Sequence, residues 1–306
     1  MIRRFLILSL VPWLLCACPA LDPITPLAMI EAPQLSEISG LAVSPRDPDL
    51  LWALNDGGNG AYLYALGRNG QIRGQLTVSG IGNRDWEDLA AFHWDGDNWL
   101  LVAEVGDNNA HHDELRLYLL REPVIDGDDW QGAVTPAHVW RFVYPDGPRD
   151  CESIAVDTEQ GEILIMSKRD QPARLYTLPL QLSMPEALRV AEYRGNVDHI
   201  PPPSAADELR DPLHGRWSSQ PTALDLNPAG NLAAVLTYRA IYLYPRQPGQ
   251  SWSQAFTNPP GTIALTQLRQ AEALTFTSNQ ELLVTSEKLP APLYRIKVLD
   301  GVTQSP

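Results

Sequence analysis

The chain has 306 residues, a hydrophobic fraction of 44% and a net charge of −14, from 37 acidic and 23 basic side chains. That apolar content excludes disorder, and the acidic excess excludes a nucleic-acid binder, which needs Lys and Arg to neutralise phosphates. Three cysteines in a chain long enough to bury its own core exclude a disulfide scaffold, while 21 glycines and 27 prolines favour short strands and turns.

Residues 1–17 read as a signal peptide. Arg3 and Arg4 form a positive start, and Phe5–Leu15 is an apolar stretch too short to span a bilayer. Leu15-Cys16-Ala17-Cys18 resembles a bacterial lipobox. That resemblance implies cleavage before Cys18 and acylation of its thiol, with palmitate among the acyl groups. Pro19 follows Cys18 in place of the Asp that marks inner-membrane retention, so the expected location is the periplasmic face of the outer membrane. Cys16 is then lost and Cys18 lipidated. Cys151 remains as a lone thiol on a strand, read as a small buried hydrophobe. Residues 18–26 read as a stiff lipidated tether, rich in proline.

From residue 27 to residue 299 one unit recurs five times. Each unit opens on a polar residue followed by an apolar strand: Ser39, Glu87, Glu152, Thr222 and Glu272. A second apolar run follows at 50–54, 99–105, 163–167, 232–236 and 282–286. A polar loop and a Leu-Tyr pair complete it, at Tyr64, Tyr118, Tyr176, Tyr244 and Tyr294. The distances from first polar residue to tyrosine are 25, 31, 24, 22 and 22 residues. Short apolar runs bounded by Gly, Asn and Asp turns are strands of a meander, and a repeat of this size is a propeller blade. The expected fold is all-β, a five-bladed β-propeller. Leu27–Ile30 has no place in the first unit and is expected to complete the last blade, which closes the ring. Six blades is the alternative, with an extra blade hidden in the long third unit; the Pro-rich stretch 200–203 favours an insertion there. Ser204–Arg210 is the one helix candidate between strands. Residues 300–306 form a tail.

In a propeller the first strand of each blade lines the central tunnel. The five opening residues therefore converge on the axis. Three carboxylates there repel one another unless they take up protons or a cation. Oxygen ligands suit Ca²⁺, with Mg²⁺ second, and the lack of His or Cys argues against zinc. Arg84 and Arg149 are the alternative ion-pair partners.

The order Ser39, Glu87, Glu152, Thr222, Glu272 is similar to the ring of the soluble calcium-activated nucleotidases, the apyrase family. That resemblance implies a calcium ion held by those five residues, with threonine standing for a serine at 222. The strings Ser39–Ala42, Asn55–Gly58 and Asp85–Ala90 also resemble uncharacterised bacterial propeller lipoproteins.

The loops between second and third strands all emerge on one face. They carry Asp56 and Asp107 from the first two units, and Lys168, Arg169, Arg174, Arg239 and Lys288 from the later three. An apyrase-like reading uses Asp56 or Asp107 to orient water and Lys168, Arg169 and Arg239 to hold a phosphate. His111-His112 reads as loop polarity. Trp52, Trp86, Trp94, Trp99 and Trp217 read mainly as blade packing. Two functions follow: an envelope-anchored monomer with a central calcium, binding a small ligand or an envelope protein, or a calcium-dependent phosphohydrolase. A sugar-phosphate or lactone hydrolase fits the acidic ring less well.

Lipidation is checked by intact mass. The wild-type chain is expected to lack Met1–Ala17 and to carry acyl groups on Cys18, and Cys18→Ala to remain uncleaved and unacylated. A wild-type chain that keeps Met1 contradicts the assignment.

Overall fold

A computed structural model describes residues 24–182, 187–268 and 270–298. The signal segment, Cys18 and the tail lie outside the described residues. In chain order, β1 (Ile24–Ile30) precedes a 3-10 turn at Pro33–Leu35. A meander follows in β2 (Ile38–Val43), β3 (Leu50–Asn55), β4 (Tyr62–Gly67) and β5 (Ile72–Val78), and a second in β6 (Trp86–Trp94), β7 (Asp97–Glu104) and β8 (Leu115–Arg121). Next come β9 (Trp130–Val134), β10 (His138–Val143), β11 (Cys151–Asp157), β12 (Glu162–Ser167), β13 (Ala173–Pro179), β14 (Leu188–Val190) and β15 (Glu192–Val197). Helix α1 (Ala205–Arg210) and a 3-10 turn at Gly215–Trp217 lead into β16 (Pro221–Leu226), β17 (Leu232–Thr237) and β18 (Ala240–Pro245). Helix α2 (Trp252–Ala255), β19 (Gly261–Ala264), β20 (Ala271–Ser278), β21 (Glu281–Ser286) and β22 (Ala291–Lys297) complete the described chain.

The strands form five sheets, and the fold is a five-bladed β-propeller. From the axis outwards the blades run β2-β3-β4-β5-β9, β6-β7-β8-β10-β14, β11-β12-β13-β15, β16-β17-β18-β19 and β20-β21-β22-β1. Each inner strand packs on the next, and β20 packs on β2 to close the ring. All five opening residues lie on inner strands, and all five tyrosines on third strands. The six-blade alternative is corrected to five: the long third unit holds α1 and its turn, not a further sheet. Strand β1 pairs antiparallel with β22, as ring closure requires. It begins at Ile24, three residues before the expected start. Pro26 fits there because β1 is an edge strand with a register shift between Pro26 and Ala28.

Two strands had no sequence counterpart. β9 lies parallel to β5 of the preceding blade, and β14 lies parallel to β10. Both are short and partly exposed, so they lack the apolar run that marks a buried strand.

The core falls at the seams. Each of five apolar clusters joins two neighbouring blades. Every seam also carries a polar clasp. Between blades 1 and 2, Trp52 Nε1 donates to Glu122 at 2.9 Å. Between 2 and 3, the Ile154 amide donates to Asp88 at 2.8 Å. Between 3 and 4, Asp157 accepts from Trp252 Nε1 at 2.7 Å and Arg246 at 2.8 Å. Between 4 and 5, the Phe276 amide donates to Asp225 at 2.8 Å, and between 5 and 1, the Val43 amide donates to the Thr275 hydroxyl at 3.3 Å. A buried carboxylate is tolerated where N–H groups satisfy it.

Ile30 is fully buried in the seam between blades 5 and 1, whereas Met29 beside it is 43% exposed. Ile30→Ala is expected to cost about 2–4 kcal/mol in urea unfolding, and Met29→Ala less than about 0.5 kcal/mol. Equal costs would contradict the register of β1.

Candidate functional site

The five opening residues share one backbone device. In each inner strand the pairing skips one residue: Ser39 between Ile38 and Gly40, Glu87 between Trp86 and Asp88, and Glu152 between Cys151 and Ser153. The same holds for Thr222 between Pro221 and Ala223 and for Glu272 between Ala271 and Ala273. Each is the extra residue of a β-bulge, which re-aims a side chain out of the ladder. Five bulges at five equivalent positions make one ring at one end of the tunnel.

Two further tiers follow from the same register. The residue after each second strand is Asp56, Val105, Lys168, Tyr238 or Glu287. The residue two before each bulge is Glu37, Asp85, Asp150, Gln220 or Gln270. Blades 1 to 3 therefore supply acids to the last tier, and blades 4 and 5 supply amides.

Lys168 is the cation within the ring. Its ammonium pairs with Glu152 and stands 5.5 Å from the centre of the Tyr238 ring. It is one of three lysines in the chain. Burial opposes its charge, but Glu152, Tyr238 and Glu272 outweigh burial and hold the proton above the ordinary range. One ammonium does not balance three carboxylates. Burial first, and then Glu152, push Glu87 and Glu272 well above the usual carboxylate range. Burial and Asp150 push Glu152 up to about 8 against the pull of Lys168. Asp85 rises to about 6, through burial and its neighbours Asp56 and Asp150.

The ring members differ in what they touch. The Ser39 hydroxyl donates to the Glu87 carbonyl at 2.5 Å and lies 3.3 Å from its carboxylate. The Thr222 hydroxyl donates to the Ala271 carbonyl at 2.8 Å. Glu152 Oε2 is buried and has no hydrogen-bond partner among the described residues. Glu87 belongs to two groups, Asp56-Asp85-Glu87 and Glu87-Asp150-Glu152, within each of which the ligand oxygens lie within 4.8 Å of one another. Glycines make room for the first group. A Cβ at Gly57 would stand 2.5 Å from Asp85 Oδ1, and one at Gly106 would collide with Glu87 Oε1 and stand 2.5 Å from Asp85 Oδ2.

The loop residues are largely tied to acids. Arg169 donates to Asp150 at 2.6 Å and to Asn108. Arg239 pairs with Asp207 at 2.7 Å. Arg174 pairs with Asp146 and stands 3.4 Å from Asp170. Lys288 donates to Gln270 at 2.8 Å. Arg84 stands 3.4 Å from Glu104, and Arg149 pairs with Asp146 and Asp170, so neither serves the ring. Buried Asp107 accepts from the His111 and His112 amides at 2.9 and 3.0 Å and so shapes its own loop. Cys151 is buried at the seam of blades 2 and 3, where Tyr144 donates to its sulfur at 2.8 Å. Trp52, Trp86 and Trp99 pack in blades, but Trp217 lies in the insertion before β16 and lines a cavity.

That cavity, about 340 Å³, opens beside the ring. Lys168 and Tyr238 belong to both. The sequence reading missed Tyr238, Asp85, Asp150 and Glu287. Their signal was positional: each keeps a fixed offset from a strand end, but their types vary too much to show as a repeat.

No family model and no curated protein sequence matches this chain. Among solved structures, it is similar to the PQQ-bound form of an aldose sugar dehydrogenase from Streptomyces coelicolor, with a TM-score of 0.49 and 10% identity over 90% of this chain and 97% of that one. It is also similar to a gluconolactonase from Xanthomonas campestris, with a TM-score of 0.48 and 11% identity over 86% of this chain and 72% of that one. Likenesses at such scores and identities carry no statement about activity.

The raised carboxylates fix the sign of a pH dependence. The native state holds protons that the unfolded chain releases near pH 4.5, so their contribution to stability is full below that pH. It is lost as pH rises through about 6 to 8. In chelator, urea unfolding is expected to weaken by roughly 2 kcal/mol between pH 5.5 and 8.5, and Glu152→Gln is expected to flatten the slope. A wild-type slope that is already flat contradicts the ring's protonation.

Proposed function

We propose that this protein is a lipid-anchored binding propeller of the bacterial envelope, with a calcium ion at its tunnel mouth beside a pocket for a small ligand. The observation that carries this reading is Glu87, shared by two groups of three close carboxylates with Lys168 as their cation. Excess negative charge on rigid strands, oxygen donors and glycine clearance fit a hard divalent ion. Ser39, Asp56, Asp85 and Glu87 would hold it on the side away from Lys168. Magnesium is the second choice, since its tighter octahedron asks more of the donors. Glu152 and Glu272 balance Lys168 in this reading, and Thr222 keeps its bond to Ala271.

The anchor geometry supports the same reading. Five residues lie between Cys18 and Ile24, so the six steps from one to the other reach at most about 20 Å. Ile24 pairs with Ile296, at the end of β22 remote from the mouth loops. The mouth therefore faces away from the membrane to which Cys18 would hold the chain. A phosphohydrolase is the weaker reading, because Lys168 and Arg239 are already paired with Glu152 and Asp207.

Calcium at a hundred times its Kd is expected to stabilise the native state by about 2.7 kcal/mol, read as a raised melting temperature that zinc does not reproduce. Glu87→Gln is expected to remove the gain. No gain in the wild type contradicts the site, and phosphate release from nucleotides above a Glu87→Gln control would reinstate the hydrolase.

A further inference from the structure

The chain between β15 and β16, residues 198–220, has no counterpart in the other four units. It is an ordered wall. Ser204 caps α1 in a capping box with Asp207. Asp207 also pairs with Arg210 at 2.9 Å and with Arg239 at 2.7 Å. Arg239 donates as well to the carbonyls of Pro201 and Pro202 and so fastens the wall to blade 4. A Cβ at Gly215 would stand 2.6 Å from the Asp207 carbonyl carbon, so the turn packs directly on the helix.

The cavity of about 340 Å³ lies between this wall and the tops of blades 3 to 5. Its volume is at the lower end of the range for small-molecule pockets. One side is apolar, formed by Trp217, Leu265 and Leu268. The other carries Lys168, Arg169, Arg210 and Arg239, set against Asp207, Asp211 and the Glu152 and Asp150 partners of the first two, so what it offers an anion is the free N–H edges of its more exposed arginines. The Arg169 and Arg210 side chains are 42% and 55% exposed. Arg169 uses Nε and Nη2 on Asp150 and Asn108, and Arg210 uses Nη2 on Asp207, which leaves each an N–H edge to offer. Ser218 lines the cavity and is 5% exposed, and its hydroxyl has no hydrogen-bond partner among the described residues. A buried hydroxyl without a partner is costly unless a ligand supplies one.

We infer that this cavity binds a small organic anion, a carboxylate or phosphate on an apolar body. The anionic head meets Arg169 and Arg210, the buried Ser218 hydroxyl reaches it by a χ1 rotation, and the body lies against Trp217 and the two leucines. Guanidinium forks suit either head group. Gln220 and Gln270, the amide members of their tier, place this pocket on the less acidic half of the mouth. The inference names the ligand class for the binding face proposed above and rests on that reading, but it needs no calcium.

The test uses the full-length domain in excess EGTA, so that a missing calcium site cannot produce either result. Probes are 1-naphthoate, 1-naphthyl phosphate and the neutral 1-naphthalenemethanol, followed by broadening of the probe's NMR lines. Both anions, or one of them, are expected to bind saturably, and the alcohol roughly tenfold more weakly or worse. The stronger anion identifies the head group. Arg210→Gln, on an exposed side chain, and Ser218→Ala are each expected to weaken the anion, while Trp217→Ala weakens all three probes. Equal binding of anion and alcohol, or anion binding unmoved by both Arg210→Gln and Ser218→Ala in folded protein, overturns the inference.

Discussion

The structure is organised around an electrostatic conflict at its axis. Five bulges turn the first polar residue of each blade inwards, and three of those residues are glutamates. Buried carboxylates at such range cannot all ionise without compensation. Lys168 supplies one positive charge from the next tier and is buried with its partner. A buried pair of this kind contributes little net stability, because desolvation offsets attraction. Its value is positional: it fixes which carboxylate is neutralised and which remain available.

That choice divides the mouth. Towards blades 1 and 2, Asp56, Asp85 and Glu87 crowd together while Lys168 pairs directly with Glu152 and not with them, and Gly57 and Gly106 leave them room. Towards blades 3 to 5, Gln220, Gln270 and Tyr238 replace acids, and the insertion adds arginines and an aromatic wall. One half is where we propose a hard cation, and the other an organic anion. The scaffold beneath repeats, since each seam has its apolar cluster and at least one polar clasp. The mouth breaks that repetition through side-chain choice and one insertion.

Much of this was legible in the sequence. The repeat gave blade number, the order of the strands and closure by the N-terminal strand, because apolar runs and polar openings are imposed by burial. It also picked out all five bulge residues from their common position. The partner of Glu152 was not legible. Lys168 reads as a loop cation, and only the register shows that the residue after a second strand faces the axis. Arg239 likewise reads as an anion ligand, although Asp207 holds it. β9 and β14 escaped notice because a short edge strand paired to the preceding blade leaves no local pattern. Trp217 looked like blade packing because its wall depends on Arg239, 22 residues further on.

The central claim is that the axis holds more carboxylate than Lys168 balances, and that protons give way to a cation there. Calorimetric titration with calcium at pH 6.5, repeated in buffers of different ionisation enthalpy, measures both the binding and the protons displaced. The account predicts one calcium per chain with net proton release. Calcium binding without proton release, or no binding in any buffer, would contradict it.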